Sequence, residues 1–197
     1  GSNGQVYYFD SIQLTAQTST FDGDTDSNWG TAANWSNDVL PNSLYNISIP
    51  SGQNVTIGAT TGATANNLTV DGAGSLTVNA GGSLIVNGTS TGNVTYNRTL
   101  DFISGNAKGW HLVGSPVVSE TYDNAYATAN SLATSGTKRG LATYNTALDA
   151  WTYLEDDNSN AGTFTSGIGY SLKRASTGTV SFTGTINTAD VTPSVLA

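Results

Sequence analysis

The chain of 197 residues is long enough for one large domain or two small ones. Its net charge of −8, with only six Lys and Arg residues, leaves nothing to neutralise a run of phosphates, so no nucleic acid and no anionic membrane surface is expected as a partner. The absence of Cys excludes disulfides, thiol catalysis and thiolate metal sites together, and no apolar run is long enough for membrane insertion.

Residues 3 to 17 read as one isolated strand pair ending in a polar tail. The alternation of Tyr8, Phe9, Asp10, Ile12 and Leu14 resembles the phrase that often ends jelly-roll carbohydrate-binding modules. Residues 18 to 50 are rich in turn formers. They carry Trp29 and Trp35 among small residues and a short strand from Tyr45 to Ile49 between Pro41 and Pro50.

From 66 to 97 one phrase recurs: NNLTVDG, GSLTVNA, GSLIVNG, GNVTYNR. Leu68, Leu76 and Leu84 are eight residues apart, and Val94 follows ten later. Each copy alternates apolar and polar residues over three or four positions and is cut off by Asn, Asp or Gly, which is how short strands are written. Equal strands at fixed spacing imply a coiled or meandering sheet stacked on itself. Parallel pairing would make one coil of about two dozen residues from three such strands, whereas the Gly81-Gly82 turn would also permit a hairpin.

Past residue 101 the texture changes. GWHLVGSPV (109–117) reads as a strand and turn with Trp110 in the core. Residues 119 to 134 have helical character starting at Ser119 and Glu120. ATYNTALDAWTYLED (142–156), GIGYSLKRA (167–175) and GTVSFTGTI (178–186) read as strands closed by Gly or Asp turns. The expected fold is all-β: a short β-solenoid or β-helix-like repeat segment followed by a β-sandwich-like module. Its divisions are 1–20 as the end strand or linker of a preceding module, 21–102 as the repeat and 103–197 as the sandwich.

The phrase W-x-x-A-x-N-W, at Trp29, Ala32, Asn34 and Trp35, together with the repeat and the later phrases GWHLVGSPV, GIGYSLK and TVSFTGTIN, resembles secreted multi-modular proteins of the Bacteroidetes. The resemblance covers roughly 20 to 190. It implies export to the cell surface or medium, commonly by the type IX route, within adhesins or polysaccharide-degrading enzymes. Having no Met, the chain reads as a processed or excised piece of such a protein, with other modules of the same polypeptide as partners.

Asp22, Asp24 and Asp26 alternate, with Asn28 next in phase. Alternate carboxylates in a tight loop can converge on Ca²⁺, which wants six to eight oxygen ligands, so a structural calcium is expected here. Ser27 and Ala33 stand where an EF-hand loop has its Gly and its bidentate Glu, which excludes that motif. The competing reading is a solvated acidic turn whose Asp side chains cap neighbouring N–H groups.

Trp151 follows a turn and is the ring most expected to be exposed. With Tyr153, Tyr144 and Asp149 it forms the candidate ligand site, aromatic faces for stacking a sugar ring beside groups that read hydroxyls. Trp29 and Trp35 are expected instead to plug the open end of the repeat. The hairpin phrase also resembles one kelch blade edge, but a single copy cannot close a propeller.

No enzyme is expected. His111 is the sole His, no Ser sits in a G-x-S-x-G elbow, and Glu120 and Glu155 are the only Glu. The seven N-x-S/T sequons, at Asn34, Asn46, Asn54, Asn67, Asn87, Asn93 and Asn97, follow from the Asn- and Thr-rich repeats. The expected function is a non-catalytic extracellular module, secreted or at the cell surface, that binds a polysaccharide or cell-surface glycan. The alternative is a stalk or spacer without a ligand.

Overall fold

The computed structural model describes residues 15–105 and 107–192. The predicted strand around Tyr8 to Leu14 lies outside them. The chain is all-β, with a parallel β-solenoid leading into a sandwich-like pair of sheets.

The solenoid opens with β1 (Gln17–Thr20), so these four residues belong to the repeat rather than to a preceding segment. One circuit follows as β2 (Tyr45–Ile49), β3 (Asn54–Ile57) and β4 (Gly62–Ala65), and a second as β5 (Leu68–Val70), β6 (Ser75–Val78) and β7 (Ser83–Val86). A third begins with β8 (Ser90–Thr91) and β9 (Val94–Leu100). Ile47 pairs with Leu68, Val55 with Leu76 and Ala63 with Leu84, always in parallel and always 21 residues on. The octad strands are therefore three sides of one coil, each stacked on the coil before it, and no hairpin forms at Gly81-Gly82. The coil is shorter than two dozen residues because its third side returns to the first through a tighter corner, from Ala65 to Leu68.

Period-2 alternation decides which face is buried. Ile47, Ile49, Val55, Ile57, Leu68, Val70, Leu76 and Val78 all point inward and are almost fully buried. The corners are tied by amides stacked from coil to coil. Asn66 and Asn67 both donate to Asn46 Oδ1, at 2.9 and 2.8 Å, and Asn67 Oδ1 accepts from Thr89 N at 2.7 Å. The Asn richness that creates the sequons at Asn46 and Asn67 thus satisfies polar groups between coils.

Solenoids need capped ends. At the N-terminal end the cap is aromatic. Trp29 and Trp35 are each 1% exposed, their rings 4.7 Å apart at 71°, and Phe21 lies edge-on to Trp35 at 5.1 Å. Both indoles belong to the solenoid core, as a plug requires.

The second module begins with β10 (His111–Val113), β11 (Val117–Val118) and β12 (Thr121–Tyr122). It continues with α1 (Asn124–Ala129), β13 (Thr134–Ser135), β14 (Lys138–Asn145) and β15 (Ala150–Glu155). It closes with β16 (Gly162–Thr163), β17 (Tyr170–Leu172) and β18 (Gly178–Ile186). The helix expected from Ser119 is only α1. Ser119 has φ +71°, outside helical space, and the cap is Asp123, whose carboxylate accepts from Tyr126 N at 2.7 Å.

β18 pairs antiparallel with the whole of β9, from Leu100↔Gly178 to Val94↔Gly184. The first half of β9 also pairs in parallel with β6, so one sheet, in the order β11-β18-β9-β6-β3, runs from the solenoid into the second module. Val94 lies in the solenoid core and Leu100 in the second core, with Tyr96 and Ile186 packed against both. The division drawn at 102/103 therefore falls just after a strand shared by the two cores.

The second core is organised around Phe164. Its ring lies 5.0 Å from that of Tyr122, 5.2 Å from Tyr126, 4.7 Å from Tyr170 and 5.2 Å from Phe182. Such tilted and edge-on contacts are the favoured geometry of aromatic pairs. Across this core, the sheet β10-β17-β14-β13, with β15 on β14, forms the other layer. No helix of the described residues is long and apolar enough to cross a membrane.

Candidate functional site: an aromatic hairpin and a basic cleft

β14 and β15 form a hairpin whose tip is closed by Asn145. Its Oδ1 accepts from Ala147 N at 3.1 Å and Leu148 N at 3.2 Å, and Asp149 adopts the left-handed φ of +49°. Register places Tyr144 opposite Trp151 and Ala142 opposite Tyr153. Because Trp151 and Tyr153 are two residues apart, they share one face of the hairpin.

Three of the four sequence-predicted ligand residues meet at the tip. Tyr144 and Trp151 are 45% and 44% exposed, their ring centroids 5.1 Å apart and tilted by 61°. Exposure of two large rings side by side is what a stacking platform requires. The Tyr144 hydroxyl donates to Asp149 Oδ1, and this bond raises the phenol above its ordinary pKa. Asp149 is thereby tied to the platform rather than free beside it.

Tyr153, the fourth, turns toward a different neighbourhood. Its ring meets Trp110 edge-on at 5.8 Å and carries Lys138 Nζ 4.9 Å above its centroid. Trp110 is half-buried and belongs to neither core, which corrects its assignment to the interior. Together Trp110, Tyr153, Lys138, Arg139 and Lys173 line a cleft of about 220 Å³ floored by Gly140. Sequence reasoning missed these cations because Lys138 and Arg139 open β14, at the far end of the hairpin from its aromatic tip, and Lys173 lies on a third segment. Their only linear signal is that a very acidic chain spends half its basic residues there.

Arg139 is anchored by Asn124 Oδ1 at 2.8 Å and by Asp156 at 3.5 Å, the one ion pair among the described residues. Asp156 belongs to the acidic turn at 155–157, whose Asp157 accepts from Ser159 N at 2.8 Å and is held below the usual carboxylate range by Ser159. Lys173 is 6% exposed, and its ammonium donates to the carbonyl oxygens of Gly105 and Lys108, the latter at 2.7 Å.

The acidic loop near the N-terminus organises itself around Asn34, which is fully buried. Asn34 Oδ1 accepts from Thr25 N at 3.0 Å and Asp26 N at 2.9 Å, while Nδ2 donates to Asp26 Oδ1 at 2.6 Å and Asn28 O at 2.8 Å. Asp26 Oδ1 also accepts from Asn28 N at 2.7 Å. These bonds, the backbone N–H of Asn28 first and the Asn34 amide next, hold the Asp26 carboxyl below its ordinary pKa. Asn28 Oδ1 accepts from Gly30 N at 2.9 Å. Asp22 joins this knot only through its backbone, its N–H donating to Asn34 O at 2.9 Å, and among the described residues no three His, Cys, Asp or Glu side chains gather as a metal site. Asp26 Oδ1 and Asn28 Oδ1 are engaged by their own loop, whereas Asp26 Oδ2 accepts only from the Thr31 hydroxyl at 3.3 Å and Asp22 Oδ1 is buried without a hydrogen-bond partner.

His111 is half-buried, its Nε2 2.9 Å from the carbonyl oxygen of Asp101. In comparisons with known proteins, no family model matches this chain, and neither a curated protein nor a solved structure does.

Proposed function

We propose that this protein is a non-catalytic extracellular module of a larger secreted bacterial protein, and that it binds carbohydrate through the aromatic hairpin. The observation that carries this reading is the exposed Tyr144–Trp151 pair at the tip of β14 and β15, stiffened by the Tyr144–Asp149 hydrogen bond. Two rings held by backbone pairing present apolar area at small entropic cost, and the polar rim supplies hydroxyl contacts.

Affinity electrophoresis of the full chain in gels of laminarin, alginate, xylan and chitin tests it. Retardation on at least one glycan is expected, with Trp151→Ala migrating freely on the same gel. Free migration of the parent on all four, or unchanged retardation of Trp151→Ala, would overturn the reading.

A stalk or spacer is the second reading, favoured by one observation. β9 runs through both cores, and a continuous sheet of five strands makes the two modules one stiff body. Absence of glycan binding would favour this role.

A further inference from the structure

We infer that the cleft beside the hairpin is a subsite for a single anionic sugar ring, a uronic acid residue whose carboxylate meets Lys138, Arg139 and Lys173. The inference deepens the carbohydrate reading and rests on it.

Charge distribution is the first argument. A chain of net charge −8 repels polyanions at a distance, yet three of its six Lys and Arg residues line one cleft. Among the described residues, Lys138 and Lys173 have no carboxylate partner, while Arg139 shares its charge with Asp156. Lys173 is buried, and buried cations are normally paired, so its ammonium, with the exposed Lys138 beside it, leaves a local positive potential for an anion to satisfy.

Donor geometry is the second. An ammonium has three N–H groups, and Lys173 commits two of them to the carbonyl oxygens of Gly105 and Lys108. Those carbonyls fix the ammonium in position without neutralising it. Lys138 is exposed and held over the Tyr153 ring, and Arg139 is oriented by Asn124. All three cations are thus positioned before any ligand arrives, which lowers the entropy lost on binding.

Size and walls are the third. About 220 Å³ lies below the range of pockets for drug-sized ligands and suits one ring rather than a chain buried along its length. Trp110 and Tyr153 give the cleft aromatic walls, which an inorganic anion would not use and a pyranose face would. Tyr153 and Trp151 share a face of β15, so a uronate seated in the cleft would extend its neighbouring sugar toward the Tyr144–Trp151 platform.

Isothermal titration of the full chain with oligogalacturonate and oligomannuronate, each beside its carboxyl-reduced neutral counterpart, tests the subsite. At least one uronate is expected to bind at least tenfold tighter than its reduced form, with affinity falling as salt rises. Lys138→Gln, at an exposed position, is expected to lose about tenfold in uronate affinity, to lose less toward the carboxyl-reduced counterpart, and to keep the parent's melting temperature. Equal affinity for acid and reduced forms, or uronate binding unaffected by Lys138→Gln, overturns the subsite and leaves the carbohydrate reading standing. Failure of every saccharide to bind removes both.

Discussion

Trp35 donates its indole Nε1–H to the carbonyl oxygen of Trp29 at 2.9 Å, inside a cap where neither ring reaches solvent. The bond satisfies the only polar atom of the buried Trp35 side chain, and the two rings close the first coil. Trp35→Phe, which keeps a ring but removes the donor, should lower unfolding free energy by about 1–3 kcal/mol in urea titrations. Trp35→Ala should cost about 3–5 kcal/mol. A Trp35→Ala variant as stable as the parent would remove the aromatic cap from the account of the solenoid.

Asn34 is the centre of the acidic loop, and Asn34→Ala should destabilise by about 1–3 kcal/mol because it removes the four hydrogen bonds that its buried amide makes to Thr25, Asp26 and Asn28. The loss should depend on pH. Asp26 is depressed in the folded state, so the stability it contributes is present above the unfolded carboxylate value of about 3.9 and is lost as pH falls through the folded value. The gap between parent and variant should therefore be full above about pH 5 and narrow below about pH 4. Chemical unfolding at pH 3, 5 and 7 measures it.

Calcium addresses the same loop by another route. Because Asp26 Oδ1 and Asn28 Oδ1 are already engaged by loop N–H groups, binding of Ca²⁺ through them would compete with those bonds, and millimolar Ca²⁺ should leave the melting temperature unchanged relative to EDTA. A rise with calcium that disappears in Asp26→Asn would instead establish an ion site at Asp22, Asp24, Asp26 and Asn28.

Gly92 has φ +79°, and a Cβ there would be driven into the carbonyl oxygen of Val70 on the coil beneath. Gly92→Ala should cost at least about 1–2 kcal/mol for the left-handed backbone alone, with more for the displaced coil. Gly52 has a similar φ of +84° and open space around its Cβ position. The melting temperature of Gly92→Ala should accordingly fall further than that of Gly52→Ala.

Glu120 bridges the sandwich, its Oε2 accepting from Thr183 N at 2.7 Å. Burial raises its carboxyl above the ordinary value, with Asp123 adding to the rise and the Thr183 N–H opposing it. A carboxyl raised in the folded state gains stability as pH falls through that value. Glu120→Gln, which keeps the acceptor, should be at least as stable as the parent at pH 7, and its advantage should shrink by pH 4. A variant clearly less stable at pH 7 would contradict that assignment.

The strand phrases were legible because alternation and turn formers are local. Leu68, Leu76 and Leu84 announced short strands, the first two with their side chains buried and Leu84 half-buried against the same core, and 178–186 matches β18 residue for residue. The helix was misjudged in length because Ala-rich spacing is a weak signal, and the cap at Asp123 overrode it. Phe164 was invisible as a hub, since nothing in AGTFTSG says that four rings from distant segments will surround it.

By itself, then, the amino-acid order determined the all-β class, the inward aliphatics of the repeat and the exposed ring at Trp151, because each follows from period-2 alternation and turn chemistry within a few residues. Only the tertiary structure decided that the octad strands stack in parallel 21 residues apart and that β9 joins two cores. It alone gathers Lys138, Arg139 and Lys173 around Trp110 and Tyr153. Those relations depend on which distant backbones pair, and pairing between coils is chosen by the whole buried surface rather than by any one phrase.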